Sequence, residues 1–440
     1  MGVLGGAVCP VDGRFQAKYN TQAAALCKSC PHELIILMSD PRKSISRDEA
    51  LSIVERAAAA ITTARQTLPV RDAVGMILAE DQLSRLQLPP FNKSAMDGYA
   101  VLDGDQRDKY EVDPQTILAG NEEQPALRSG LAVKVMTGAP VPDGAGRVIP
   151  VENVSASHEG IEITRPSAAR HICLQGEDVR VGDVVVRAGT QLGALEIANL
   201  IGCGISEIDV YRPVRLAVLS TGDEIVDDPA KIVHGKIMNT NGPMLAMLGR
   251  RFAMDVVLEE SIPDSLAATV ETICKAAELA DIVLLSGGVS VGDYDFVGTA
   301  LTGAGLDVHF TSVQIKPGRP LTFATGPGVA VFGLPGNPVS VHVMFHVFVL
   351  RAAALMCGGR RPLREIELPL GADFRRRKAD RIEYVPARLD DDGTISTIDF
   401  HGSAHLTALT ESDGFFVVPI GQTELAAGTR VVFLPLMKGR

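Results

Sequence analysis

The chain has 440 residues, 46% of them hydrophobic and 22% charged, with a formal net charge of −11. That length exceeds what one hydrophobic core serves, so several domains are expected. The acidic balance and the lack of a Lys/Arg-rich block argue against a nucleic-acid partner. Seven scattered cysteines and no signal peptide point to a reducing cytoplasm rather than a disulfide framework.

Residues 1–43 are Gly-, Cys- and Ala-rich without sustained periodicity. They read either as a disordered tail or as a stretch upstream of a true start at Met38. Cys27-x-x-Cys30 with His32 lacks the further ligands a structural zinc needs, so no zinc is expected there. Ser46-x-x-Glu49 forms a capping box, and Leu51, Val54, Ala58 and Ile61 follow at helical spacing. A second helix is expected over roughly Arg71 to Leu83, closed by Pro89-Pro90. Residues 89–181 break into short β-like runs punctuated by Gly, Pro and Asp, the texture of a small β-rich domain. Helical character returns at Ala194–Ile201, with a short strand around Ile208–Val210. Residues 44–88 and 182–213 therefore read as a helical linking domain into which 89–181 is inserted.

From 214 to 360 strands alternate with helices, which predicts an α/β domain with a parallel sheet. Asp264 is expected to cap the helix carrying Leu266, Val270, Ile273 and Ala277. Asn337 is expected to cap the next, with Pro338 at the first helical position. The apolar run Val339 to Met356 is broken by His342, His346 and Arg351. It reads as a buried helix rather than a membrane span. Residues 361–440 alternate again and predict a compact all-β domain. The basic cluster Arg375–Lys378 within it reads as a solvated turn.

Four apolar runs of the α/β segment end in loops suited to an anion, and ligands of open α/β sheets bind at the carboxyl ends of strands. Gly287-Gly288 follows a buried strand and lets backbone N–H groups approach a phosphate. Ser290 adds a hydroxyl. Asp293 and Asp295 cannot face phosphate directly, so Asp295 is read as a ligand of Mg²⁺ and Asp293 as a helix cap. Ser220-Thr221-Gly222-Asp223-Glu224 repeats the pattern one strand away, its hydroxyls and glycine suited to a phosphate or pterin edge and Asp223 to a second metal contact or a ring N–H, with an ordinary capped turn as the alternative. Lys316 and Arg319 flank Pro317-Gly318 and form a candidate oxyanion clamp, with a solvated pair as the alternative. The last loop is Gly333-Leu334-Pro335-Gly336-Asn337-Pro338. Cys203 and Cys274 lie in apolar helical settings and read as core. His401 and His405 are read as surface residues, with contact to an anionic ligand as the alternative. No nucleophile motif or Walker loop is present.

The Gly287–Asp295, Lys316–Pro320 and Gly333–Ser340 motifs resemble those of the molybdopterin molybdenumtransferases, to which the C-terminal domain of gephyrin is related. Pro89-Pro90-Phe91-Asn92-Lys93-Ser94-Ala95-Met96-Asp97-Gly98-Tyr99-Ala100 resembles that family's most distinctive string. Met136–Pro142 and Gly176-Glu177-Asp178 match two more, in order, so the likeness runs from about Ser44 to Leu436. The resemblance implies a homodimer of four-domain subunits, with each site shared between the α/β domain of one subunit and the inserted domain of the other. It implies adenylylated molybdopterin and molybdate as substrates, molybdenum cofactor and AMP as products, Mg²⁺ as helper, and transient contacts with other proteins of that synthesis. Carried over by motif, Asp97, Thr137, Glu177 and Asp223 are catalytic. Ser220, Gly287, Gly288, Ser290, Lys316, Arg319, Pro335, Pro338, Arg381 and Ser403 bind substrate, and Asp295 and Asp223 hold the metal. For Asp97 a simple turn role before Gly98 stays open. Asn92, Asn239 and Arg319 depart from the family pattern, and Asn239 lacks the charge an aspartate would bring. Adenylyl transfer and a non-catalytic scaffold are the competing readings.

Overall fold

Ser46 takes up an extended conformation and its hydroxyl accepts the Glu49 N–H at 3.1 Å, which starts the helix Arg47–Ala59. In this computed structural model, which describes residues 44–122, 124–288, 296–359 and 365–436, that helix does not join the linking segment. Its buried Ala50, Val54 and Ala58 share one core with Leu284, Phe332 and Phe348 of the α/β domain. The start-site reading at Met38 and the Cys27, Cys30 and His32 group lie outside the described residues.

The helix expected over Arg71–Leu83 is not formed. A three-residue 3-10 turn, Val70–Asp72, gives way to short strands at Ile77–Leu78 and Gln82–Leu83. Gly75 at φ +84° stops a helix there. Ile77 and Leu78 instead pair with Tyr211 and Val210, a long-range partner that the local pattern does not reveal. Strand Arg65–Pro69 pairs with Glu207–Tyr211 along its whole length, so the two flanks of 89–181 do meet. Around the single helix Ala194–Gly202 they bury Leu78, Leu192, Leu200 and Val210. The linking unit is thus richer in strand than in helix.

The inserted segment builds a six-stranded sheet. Along its strand Gly98–Leu102, Ala100 faces one small core, while Tyr99 and Val101 face another. Successive side chains of a strand point to opposite faces, so both faces of this sheet are covered.

The α/β domain is a second six-stranded sheet. Its strands are β1 (Arg215–Thr221), β2 (Asp255–Ile262), β3 (Ile282–Ser286), β4 (Asp307–Ser312), β5 (Pro320–Gly326) and β6 (Val329–Leu334). Their order is β2-β1-β3-β6-β5-β4. The first four in that order are parallel, and β5 and β4 extend them antiparallel. Leu216, Val218, Ile282 and Leu284 face one core, and Ala217, Leu219, Val283 and Leu285 the other.

Two local expectations in this domain are corrected. Ser265, not Asp264, occupies the N-cap of helix Leu266–Leu279, and Asp264 bonds elsewhere. Cys274 is exposed, because the buried stripe of that helix runs through Thr269, Thr272, Ile273 and Ala276. Cys203 is fully buried. The apolar run folds as helix Pro338–Met344, a π turn at Phe345–Val349 and helix Leu350–Met356. Its length and hydropathy would suit a membrane, but 78% of it is buried within the protein.

The C-terminal segment forms a β-rich unit, but not the all-β one expected: a short helix, Leu406–Glu411, packs into it. Its main sheet runs Ile315–Lys316, Ile382–Leu389, Gly414–Val418, Arg430–Pro435, Ile366–Pro369. The first of these strands is lent by the α/β domain, with Lys316 in register with Glu383.

Candidate functional site

Ser220 of β1 is in register with Ser286 of β3, and Ser286 with Leu334 of β6. The loops after these strands therefore lie side by side on the carboxyl edge of the sheet. Gly287 and Gly288 adopt φ +99° and +65°. A Cβ on Gly287 would stand 2.3 Å from the Thr221 carbonyl oxygen, so only glycine lets the two loops touch. The continuation, with Ser290, Asp293 and Asp295, lies outside the described residues.

The hydroxyls of the first loop divide their work unexpectedly. Ser220 Oγ is engaged with Asn239 Oδ1 at 3.3 Å. Thr221 Oγ1 is buried without a hydrogen-bond partner among the described residues, and it borders the glycine pair. Asn241 donates through Nδ2 to Ser286 Oγ at 2.8 Å and to the Gly336 carbonyl at 2.7 Å, which leaves its buried Oδ1 unpartnered. Neither Thr221 nor Asn241 stood out in the sequence. Thr221 is adjacent to Ser220 and as deeply buried, and only their hydrogen-bond partners tell the two hydroxyls apart.

Asp223 and Asp264 form a reciprocal clasp between the loops after β1 and β2. Asp264 N–H donates to Asp223 Oδ1 at 3.1 Å, and Asp223 N–H donates to Asp264 Oδ2 at 3.3 Å. The Lys236 ammonium donates to the Asp223 carbonyl. Asn239 Nδ2 donates to Asp227 at 2.9 Å and to Ser261 at 3.3 Å. The departure at 239 thus supplies a donor that an ionised aspartate would not have beside Asp227.

Pro335 and Pro338 bracket the third loop. Asn337 stands at the N-cap, but its side chain does not cap the helix. It donates to Ser403 Oγ at 2.8 Å, and the Ser403 carbonyl accepts the Val339 N–H at 3.1 Å. A residue of the C-terminal unit therefore closes this helix start. Lys316 pairs with Glu383 at 2.7 Å. Gly318, at φ +109°, packs on Met344, where a Cβ would fall 2.7 Å from Cε. The Arg319 side chain is exposed and makes no hydrogen bond or ion pair with the described residues. Arg381 stands 3.5 Å from Asp380, and its buried Nε lacks a hydrogen-bond partner. Lys316 and Arg319 are thus not equivalent halves of one clamp: one is tethered and the other is open to solvent. His401 is exposed and His405 half-buried, and their rings stack with centroids 5.2 Å apart.

Asp97 and Thr137 meet because Gly98 pairs with Val135 across neighbouring strands of the inserted sheet. Asp97 Oδ1 accepts from Thr137 Oγ1 at 2.6 Å and from Thr137 N–H at 2.7 Å. The hydroxyl bond, then the backbone bond, hold this exposed carboxyl below its ordinary pKa. Glu177 accepts the Leu174 N–H at 2.7 Å within its own turn. These bonds stay inside the inserted domain, whose cores are separate from those of the α/β sheet.

Among the described residues no group of three or more His, Cys, Asp or Glu is disposed to hold a metal. Mg²⁺ needs less from a protein: one or two carboxylates, with water and substrate oxygens filling the rest. The clasp uses Asp223 Oδ1 and Asp264 Oδ2, so the second oxygen of each carboxylate is not consumed by it. Hard oxygen donors of that kind fit the ion.

Comparison with known proteins covers nearly all of this chain. Residues 45–204 match the family described as MoeA N-terminal region (domain I and II), 217–354 the probable molybdopterin binding domain, and 367–436 the MoeA C-terminal region (domain IV). A molybdopterin molybdenumtransferase of Haemophilus influenzae is 33% identical over 383 residues, covering 85% of this chain and 94% of the relative. One from a Nostoc species is also 33% identical, covering 83% and 87%. A crystal structure of the molybdopterin biosynthesis moeA protein from Pyrococcus horikoshii superposes with a TM-score of 0.77 at 30% identity. It covers 90% of this chain and all of that one.

Proposed function

Because this chain belongs to the molybdopterin molybdenumtransferase family, we propose that it inserts molybdate into adenylylated molybdopterin and releases AMP, with Mg²⁺ assisting. Molybdate insertion in molybdenum cofactor synthesis follows from the family. The adenylylated substrate, the leaving AMP and the ion are our reading. One observation supports it most: the glycine pair and the unpartnered Thr221 hydroxyl adjoin an acidic clasp on the same sheet edge. A phosphate cradle beside hard-cation donors suits cleavage of a phosphoanhydride, where charge must be neutralised on the phosphates.

Gly287 and Gly288 would take the phosphates through backbone N–H groups, and Ser290 would follow in the same loop. Asp223 and Asp264, with Asp295, would hold Mg²⁺, which supplies Lewis-acid stabilisation of the leaving phosphate. Arg319, Lys316 and Arg381 are the counter-charges for the molybdate dianion. Asp97, kept ionised by Thr137, presents a fixed carboxylate charge to the reacting groups, and Glu177 is a second carboxylate of the same domain. Since Asp97 and Thr137 bond only within their own domain, we take their half of the site to come from the partner subunit of a homodimer.

The test is AMP release from adenylylated molybdopterin with Mg²⁺, with and without molybdate. Molybdate-dependent AMP is the expected result. AMP-adduct accumulating from ATP and molybdopterin alone would instead indicate adenylyl transfer. Asp97→Asn keeps an oxygen to accept both Thr137 bonds and removes only the charge. It should reduce turnover by about 100-fold or more while substrate still binds; near-normal turnover would rule out a catalytic Asp97.

A further inference from the structure

Lys316 is half exposed, yet its ammonium is tied to a carboxylate that is almost out of solvent. Glu383 Oε1 lies 2.7 Å from Lys316 Nζ, and the two side chains are 12% and 50% exposed. The opposite oxygen, Oε2, takes Arg376 Nη1 at 3.3 Å. Arg376 is itself 4% exposed. Its guanidinium also donates to three backbone carbonyls: Nε to Gln422 at 2.6 Å, Nη1 to Arg381 at 3.0 Å, and Nη2 to Pro419. The backbone reinforces this, since Lys316 and Glu383 are register partners on parallel strands.

A surface lysine needs none of this. Exposed ion pairs are weak and their side chains wander. Here the carboxylate is buried, engaged through both oxygens and anchored by an arginine that three backbone carbonyls hold in place. We infer that Glu383 is a positioning residue: it fixes the Lys316 ammonium in place to meet a tetrahedral oxyanion. This rests on the proposed anion-binding role of Lys316. The C-terminal β unit thereby helps set the geometry of the anion site. The chain Gln422/Pro419 carbonyls–Arg376–Glu383–Lys316 carries that influence from the loop that follows the neighbouring strand Gly414–Val418. Arg319, which has no such tether, supplies charge without fixed geometry.

A double-mutant cycle tests this with full-length Glu383→Gln, Lys316→Met and the double variant, assayed for AMP release across a molybdate series. Glu383→Gln should lower kcat/KM for molybdate by about 10- to 100-fold, the scale of a misplaced charged group. The KM for adenylylated molybdopterin should change less than threefold, which general structural damage would not spare. In the Lys316→Met background the second change should add less than twofold, because Glu383 acts only through Lys316. Losses that multiply, or a Glu383→Gln enzyme with wild-type kcat/KM, would overturn the inference. Should Glu383→Gln lose its cooperative melt, Glu383→Asp carries the test. It keeps the charge beside Arg376 but withdraws it from Lys316, and it must show the same dependence on Lys316. A wild-type enzyme without molybdate-dependent AMP release would defeat the proposed function itself. Normal wild-type activity with an additive cycle defeats the positioning role alone.

Discussion

Among the described residues nothing bonds the Thr221 hydroxyl, a cost that a ligand could recover. A buried hydroxyl with no partner destabilises a protein by about 1–3 kcal/mol, and this one sits 4% exposed against Gly287 and Gly288. Thr221→Val keeps the shape and removes the orphan group. The free protein should gain about 1 kcal/mol, read as a higher denaturant midpoint, while affinity for adenylylated molybdopterin falls. A destabilised variant, or unchanged affinity, would show the hydroxyl to be satisfied already. The sequence pointed to this loop but to its neighbour Ser220, because a hydroxyl's partners are set by segments such as Asn239 and Gly287-Gly288, distant along the chain, and not by the local motif. Asp264 was misread for the same reason: a cap and an inter-loop clasp look alike until the loops are adjacent.

At the scale of the element, the helix from Pro338 carries the most legible and the least legible features of the chain. Its apolar run announced burial, and it is buried. The stacking of His342 on His346 with centroids 4.3 Å apart, and the π turn that allows it, were not readable from periodicity. Burial pushes the His346 ring down to about 4. It is packed by Phe252 and Phe345; nearby Arg251 lowers the pKa further, whereas the bond to the His342 carbonyl raises it. The folded pKa lies below the unfolded value near 6.5, so the unfolded chain binds the proton first. Stability is complete above about pH 6.5 and is lost progressively as pH falls toward 4, by about 3 kcal/mol in all. Urea midpoints at pH 7.5 and 5 should show this loss, and His346→Leu should flatten it. An unchanged slope in that variant would place the acid sensitivity elsewhere.

For the whole molecule, the crossing from the linking unit into the α/β sheet turns on Asp281. Burial alone would raise the pKa of this carboxyl, but bonds from Arg212 and Arg215 prevail and hold it low. Arg212 donates at 2.6 and 2.8 Å, Arg215 Nη2 at 3.1 Å and the Arg215 N–H at 2.8 Å. Asp281→Ala leaves two guanidiniums facing each other without their anion and should cost on the order of 3 kcal/mol in denaturant unfolding. A cost under about 1 kcal/mol would mean solvent replaces the pair. The shared-site proposal has its own test. Asp97→Asn and Lys316→Met subunits, unfolded together and reassembled, should recover about a quarter of wild-type turnover if each site draws on two subunits. Mixtures no more active than either parent would confine the site to one chain.

Composition, period and turn residues alone pointed to a multidomain α/β architecture, a β-rich segment between paired flanks, the buried apolar helix and the loops on one sheet edge. Each depends on contacts near in sequence or on patterns a strand or helix imposes on its own residues. The ordered motifs, from the Asp97 string to Gly336-Asn337-Pro338, were enough to name the family. Tertiary structure decided what the side chains do. It moved the first helix into the α/β core, replaced the Arg71–Leu83 helix with paired strands, and gave Ser403 the closing of a helix start. It also split the expected Lys316–Arg319 clamp, because the Glu383 that binds Lys316 lies 67 residues on in sequence. Hydrogen-bond partners and buried charges are assigned by packing between distant segments, and no local pattern encodes that choice.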